Sequence, residues 1–411
     1  MKNLLFTVCL FLSIIAKAEV RFVRVMFYGD ASQNATIGWD QFKGEAHVLF
    51  YDTSDLSVNN YNKCIDQFIV KHDKAMNNHF VELTGLQPNT RYNFIIRDSE
   101  GDSKRFYFYT VPNNPEIPLS FIAGGDSRTR SAVRRKANLM VAKLKPHAVL
   151  FDGDYTAVDT PKEWLQWFTD WELTTGKDGR ISPIVPSRGN HERSNKVMVN
   201  IFNVPHKKVF YSTQFGGSLV NLVVLNSEIW KGGRQTWFLR GNLRKHQSYK
   251  WSIPMYHRPM RPHVKHKKEM KTQYKNFLPV FEQFPNVRLS IECDSHTCKT
   301  TWPIKKCKDE EGCDEGFIRD DEEGIVYIGE GCGGAPPREA DDLKSWTRDA
   351  EKNDSFKLLF VSQEKIEVRT VLYSNSTDVK EVSADNRFEL PENLKLWTPP
   401  NGDVVVVSPK K

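Results

Sequence analysis

After residue 18 the chain has no stretch long and apolar enough to cross a bilayer. It also lacks any C-x-x-C pair. The spacings among Cys293, Cys298, Cys307, Cys313 and Cys332 therefore speak against a zinc ribbon or finger. Charge of one sign is not in large excess. Lys and Arg total 58 against 51 Asp and Glu, a net +7, which suits anionic substrates but is too mild for a dedicated nucleic-acid binder. The apolar run at the start, Leu4 to Ala16 in "MKNLLFTVCLFLSIIAKA", is too short to span a membrane. With Lys2 before it and Ala16-Lys17-Ala18 after it, residues 1–18 read as a secretory signal peptide, and Cys9 lacks the small-residue context of lipidation. A mature chain beginning at Glu19 would carry +5, and the expected location is secreted or periplasmic. Six cysteines remain, including the distant Cys64, and in an oxidising compartment an even number suggests disulfides.

Residues 19–112 contain short alternating runs, among them "VRFVRVMF", "AHVLFYD", "HFVEL", "RYNFIIRD" and "RFYFYTV", separated by turn residues. This is the pattern of an antiparallel β-sandwich. Trp39 falls on an early strand, and Leu86, Pro88 and Tyr92 in "LTGLQPNTRYNFII" fit a tyrosine corner. The stretch resembles a fibronectin type III domain, which serves either as a spacer or as a binding module. A Pro- and Asn-rich linker, residues 113–118, follows. The pattern then alternates between buried strands, "LSFIAGGD", "HAVLFDGD" and "ISPIVPSRGN", and helical spacings, "AVRRKANLMVAKL" and "PKEWLQWFTDWEL". That alternation predicts an α/β layered domain whose ligands bind beyond the carboxyl ends of its strands.

Those strand ends carry chemistry. In order they present Asp126, Asp154, Asn190 with His191, His257, and Asp294 with His296. These are oxygen and nitrogen donors suited to hard or borderline divalent ions. There are too many for one ion. Two ions roughly 3.5–4 Å apart, bridged by a carboxylate, would use them all. Taken in this order the motifs resemble the calcineurin-like metallophosphoesterases. The fibronectin-like domain in front makes the purple acid phosphatases the more similar branch.

The resemblance implies a β-sandwich followed by an α/β four-layer sandwich, two mixed sheets flanked by helices, over residues 119–373, with 374–411 as a C-terminal extension. It implies that Asp126 and His296 hold one metal, that Asp154 bridges, and that Asn190, His257 and Asp294 hold the second. His191 would serve as proton donor or charge stabiliser, oriented by Glu192. The implied activity is hydrolysis of phosphate esters by a metal-bound hydroxide attacking phosphorus. Two divalent ions (Mn, Fe, Zn or Mg) would be the cofactors and a small phosphorylated molecule the substrate. The alternatives are a binding or adhesion protein with an inactive phosphoesterase domain, and a phosphodiesterase or nuclease, which would make nucleic acid a partner.

Three positions depart from the family pattern. The Tyr three residues after the bridging Asp, an Fe(III) ligand in purple acid phosphatases, is replaced by Ala157, and Tyr155 is out of register. Arg128 stands two residues after the first Asp, as a phosphate clamp or as a partner for surplus carboxylate. The usual G-H-x-H reads Cys293-Asp294-Ser295-His296. Finally, residues 257–275 hold seven Lys or Arg and one acid, which is either a solvated helix face or a lip attracting anions. Arg338, in "GAPPRE", is a further phosphate-contact candidate.

Overall fold

The computed structural model describes residues 17–45, 47–55, 60–329, 332–383 and 385–410. Most of the expected signal peptide lies outside these residues. Among them no helix is long and apolar enough to cross a membrane.

Two large mixed sheets stack against each other. The eight-stranded one runs, edge to edge, through Gly29–Asp30, Tyr211–Phe215, Val220–Val224, Trp251–Tyr256, Leu289–Glu292, Val326–Gly329, Cys298–Thr301 and Thr347–Glu351. The ten-stranded one has Leu119–Gly124, Ala148–Phe151 and Ile184–Pro186 as a parallel centre. The antiparallel pair Ser355–Val361 and Ile366–Leu372 lies on one side of that centre, and Val404–Val407 of the C-terminal extension closes the edge. Buried on both faces, the central strands are continuous apolar runs, as parallel strands must be.

The helix Pro161–Trp171 covers one face. Thr160 caps it, Glu163 returns a bond to the Thr160 backbone, and Pro161 occupies the first turn. Trp164, Trp167, Phe168 and Trp171, at helical spacing, are all buried against the sheet.

The N-terminal sandwich packs a five-stranded sheet, centred on Arg91–Asp98 and Val48–Asp52, against four strands that extend the ten-stranded sheet itself. The joint is a parallel pairing of Met26 with Ile184, continued by Phe27 N–H to Ile184 O at 3.3 Å. Gly29–Asp30 then crosses to the eight-stranded sheet. The sandwich is thus hydrogen-bonded into both layers. The tyrosine corner is present, with Tyr92 Oη accepting Gln87 N–H at 2.8 Å.

Trp39 fills the sandwich core beside His79, whose ring stacks on the indole at 5.7 Å and meets His47 at 4.3 Å. Both ring nitrogens of His79 are buried without a hydrogen-bond partner among the described residues. Burial, and then the neighbouring His47, push its pKa from 6.5 down to about 4. Between pH 6.5 and 4 the unfolded chain therefore takes up a proton that the folded chain refuses, so stability falls as pH falls through that window. His79→Phe is expected to flatten this slope by on the order of 1 kcal/mol, read from urea unfolding at pH 7 and pH 4.5. An unchanged slope would place the proton uptake elsewhere.

The cysteines depart from expectation. Among the described residues only Cys307 and Cys313 are bridged; Cys64 is exposed, and Cys293, Cys298 and Cys332 are buried thiols. The buried three sit on separate elements beside polar partners. Cys298 Sγ is 3.1 Å from Lys357 Nζ, and Cys332 Sγ is 3.3 Å from Asp354 Oδ1.

Candidate metal centre

The register of the two sheets decides where the strand-end residues go. Gly124 pairs with Phe151 and Phe151 with Pro186, while Met255 pairs with Ile291 and Tyr256 with Glu292. The loops leaving these strands therefore emerge side by side along one edge of the stacked sheets. Asp126, Asp154, His257, Asp294 and His296 meet there, all buried.

Ligand-capable atoms of Asp126, Asp154 and His296 lie within 4.8 Å of one another, as do those of Asp154, His257 and Asp294. Asp154 is common to both groups. His296 Nε2 is 3.0 Å from Asp126 Oδ1, and His257 Nε2 is 3.2 Å from Asp154 Oδ1 and 3.8 Å from Asp294 Oδ1. Asn190 Oδ1 and Asp154 Oδ2 are buried with no hydrogen-bond partner among the described residues. A third group, Asp126, His257 and Cys293, overlaps the first two.

The backbone is strained to achieve this. Asp126, Asp154, Asp294 and His296 all adopt positive φ, between 47° and 66°, a region L-residues enter at a cost of about 1–3 kcal/mol each. The loops also interpenetrate. A Cβ on Gly153, which has φ +85°, would fall 2.4 Å from Gly189 N, and one on Gly189 would fall 2.2 Å from Asp154 Oδ1. Glycine at both positions is what lets the Asp154 and Asn190 loops touch.

The donor set fits metal. Burial pushes His257 down, but the charges of Asp154, Asp126 and Asp294 outweigh it and hold the imidazole well above its ordinary range. That is the field of a carboxylate cluster matched to cations. His257 Nδ1 donates to Asp152 O at 2.6 Å, which leaves Nε2 to face the cluster, and His296 Nδ1 is likewise turned to Pro336 O at 3.1 Å.

Residues 21–110 match the family model of the purple acid phosphatase N-terminal domain. The chain also superimposes on a purple acid phosphatase, PPD1 from yellow lupin (Lupinus luteus) seeds, with TM-score 0.70 at 15% identity, covering 90% of this chain and 76% of that one. It superimposes on PhoD with TM-score 0.65 at 13% identity, covering 94% and 92%. Comparison with curated proteins returns no match. The chain has a purple acid phosphatase-like metallophosphoesterase fold.

Within that fold several residues stand where sequence reasoning did not put them. Glu192 does not orient His191. It points inward and accepts N–H bonds from Asp154 (3.0 Å), Tyr155 (2.9 Å) and Gly189 (2.8 Å), clamping the Asp154 loop to the Asn190 loop. Burial, and then the Asp154 charge, push its pKa up to about 8 against the pull of these donors. His191 is held instead by the carbonyl of Ala157 and by its own N–H to Asp154 Oδ1 at 2.9 Å. Tyr155 faces away from the ligands. It stacks between Phe151 and Trp164, and its hydroxyl donates to Ser187 O at 3.2 Å.

Two cations of the chain itself lie on the ligand atoms. Arg128 Nη1 donates to His191 Nε2, and Nη2 reaches His296 Nε2 at 2.9 Å. Lys267 Nζ donates to Asp294 Oδ1 at 2.8 Å. Lys267 belongs to the basic stretch, which is no solvated helix face: only Lys271–Asn276 is helical, and Met260, Arg261, His263 and Val264 are buried. In the sequence nothing distinguished Lys267 from its six basic neighbours. Arg338 braces the loop from behind, donating to the carbonyls of Asp294 and Ser295 at 3.3 Å.

Proposed function

We propose that the chain is an exported hydrolase of phosphate esters that works with two divalent metal ions. The observation that carries this reading is the membership of Asp154 in both ligand groups, the geometry a bridging carboxylate requires. Asp126 and His296 would hold one ion, Asn190, His257 and Asp294 the other, with Asp154 between. When bound, the ions supply Lewis-acid activation of water and of the phosphoryl oxygens. The chain's own residues do the rest. Arg128 offers a planar fork for phosphate oxygens, and His191, its Nδ1 fixed by Ala157 O, presents Nε2 to the same space to hold or deliver a proton. The absence of a Tyr at position 157 argues for divalent metals and a pale protein. Export rests on the leader read at residues 1–18. The test is metal analysis of the purified protein together with a screen of phosphate mono- and diesters, before and after chelation. Bound metal with no ester cleaved would overturn the enzymatic reading.

A second reading, a phosphoesterase scaffold that binds without hydrolysing, draws on Arg128 and Lys267, which satisfy His296 and Asp294 without any ion. The ester screen separates the two, and Lys267→Ala tests whether Asp294 serves as a ligand. Freed of its ion pair, Asp294 becomes a buried carboxylate with a stronger demand for cations. Metal affinity measured by equilibrium dialysis is then expected to rise about tenfold, roughly 1.4 kcal/mol. No change in affinity would mean that Asp294 is not a ligand.

A further inference from the structure

Asp98 is a buried carboxylate, 6% exposed, with which no lysine, arginine or histidine forms an ion pair among the described residues. The nearby cations are engaged elsewhere. Lys43 Nζ turns to Glu19 Oε1 at 3.0 Å, and Arg97 Nε to Asp102 Oδ1 at 2.6 Å. Burial lowers the pKa of His47 from 6.5 and outweighs the charge of Asp98, so this ring is neutral at pH 7. Neutral donors hold the carboxylate instead, Gln41 Nε2 at 2.7 Å and Glu100 N–H at 2.8 Å. Buried charges are as a rule paired, and Asp98 lacks its partner.

One further donor reaches Asp98. Glu19 N–H lies 3.2 Å from Oδ2. Glu19 is the first residue after Ala16-Lys17-Ala18, the end of the leader read in the sequence. It is fixed from the other side as well: its carbonyl accepts Phe42 N–H at 3.0 Å, and Val20 pairs with Gln41. The loop at Gly44, with φ +82°, lies directly over the carboxylate, since a Cβ there would fall 2.6 Å from Asp98 Oδ2.

We infer that Asp98 is the receptor for a new amino terminus made by cleavage between Ala18 and Glu19. The inference rests on the leader reading. A leader-cleaving peptidase adds water across this amide, leaving a carboxylate on Ala18 and an amine on Glu19. That amine is mostly protonated at pH 7 and supplies the missing cation where the amide N–H stood. Removal of Ala18 costs the sandwich one 3.3 Å bond, from Ala18 N–H to Asp102 O. The cleavage point is specified to the residue. A terminus at Ala18 would leave Glu19 N an uncharged amide and Asp98 unpaired. Asp98 ends the central strand of the five-stranded sheet, whereas Val20 and Gln41 belong to strands of the ten-stranded one. The ion pair therefore clamps the two sheets of the sandwich, and processing strengthens the fold.

The experiment compares chains beginning at Glu19 and at Ala18, each released by a protease that leaves no residue behind, with Asp98 intact and as Asp98→Asn. Hydrogen exchange is followed by mass spectrometry in peptides covering Arg91–Asp98 and Ala35–Gln41, and the exported protein is sequenced from its amino terminus. The expected result is exchange about tenfold slower in the chain beginning at Glu19, a difference that Asp98→Asn reduces to less than twofold. If Asp98→Asn does not fold, the two parental chains decide. Equal exchange in these, or slower exchange in the chain beginning at Ala18, overturns the clamp and leaves the leader reading standing. Slower exchange from a Glu19 terminus, together with an exported chain that keeps its first 18 residues, leaves the receptor site standing and overturns the leader reading.

Discussion

Asp154→Asn is expected to strip the protein of most of its bound metal and to lower phosphoester turnover by at least about 10³-fold. The argument is local. Asp154 Oδ1 accepts the His191 N–H at 2.9 Å and lies 3.2 Å from His257 Nε2, while Oδ2 is buried without a hydrogen-bond partner among the described residues, 3.9 Å from Arg128 Nε. In the variant the amide oxygen must keep the first position, because an NH₂ there would meet the His191 N–H donor. The NH₂ then takes the second position, where it cannot ligate and faces the Arg128 guanidinium. Both ions lose their shared charge in one substitution. Changes merely in the outer sphere of a metal typically cost 10–100-fold in affinity, so loss of a bridging ligand has to exceed that. Folding is not the obstacle. Residue 154 has φ 57°, and Asn enters the left-handed region at least as readily as Asp. Metal stoichiometry and turnover of an activated ester, measured with the thermal transition as a folding control, check the expectation. A variant that keeps two ions and normal turnover would remove Asp154 from the bridging position.

What the sequence disclosed is explained by where its information is local. The apolar runs ending in "GGD", "DGD" and "RGNH" located the strand ends, because a buried parallel strand can stop only where polar residues reach an edge. Thr160, Pro161 and Glu163 marked a helix start through bonds made within four residues. The motif at Leu86–Tyr92 gave the tyrosine corner for the same reason. What stayed hidden is set by contacts between segments far apart in the chain. The direction of the Glu192 side chain depends on three backbone N–H groups, two of them more than 35 residues away. Tyr155 is adjacent to Asp154 in sequence, yet it alternates inward to an aromatic cluster supplied by the helix Pro161–Trp171. An even cysteine count suggested pairing, but pairing needs proximity, and Cys293, Cys298 and Cys332 are fixed by three different elements. The parallel joint at Met26 and Ile184 is a contact across more than 150 residues, and no periodicity in either strand announces it.

His191→Ala is the complementary case, expected to keep both ions while losing about 10²–10⁴-fold in turnover. The imidazole is fixed at Nδ1 by the Ala157 carbonyl, so Nε2 is the atom presented to the site, 3.7 Å from Asp154 Oδ2 and in contact with Arg128 Nη1. Its ring is in neither of the close ligand groups, whereas its backbone N–H is what steadies Asp154. Truncation at Cβ removes the first function and leaves the second. The dependence on leaving group then distinguishes the two roles open to Nε2. If the ring delivers a proton to the departing oxygen, the loss is greatest for alkyl esters, whose alkoxide leaves reluctantly, and small for nitrophenyl esters, which need no acid. If the ring stabilises charge on the phosphoryl oxygens together with Arg128, both kinds of ester lose by the same factor. Either slope is compatible with a role in the chemistry. Loss of metal as complete as in Asp154→Asn is not, and would make His191 a ligand.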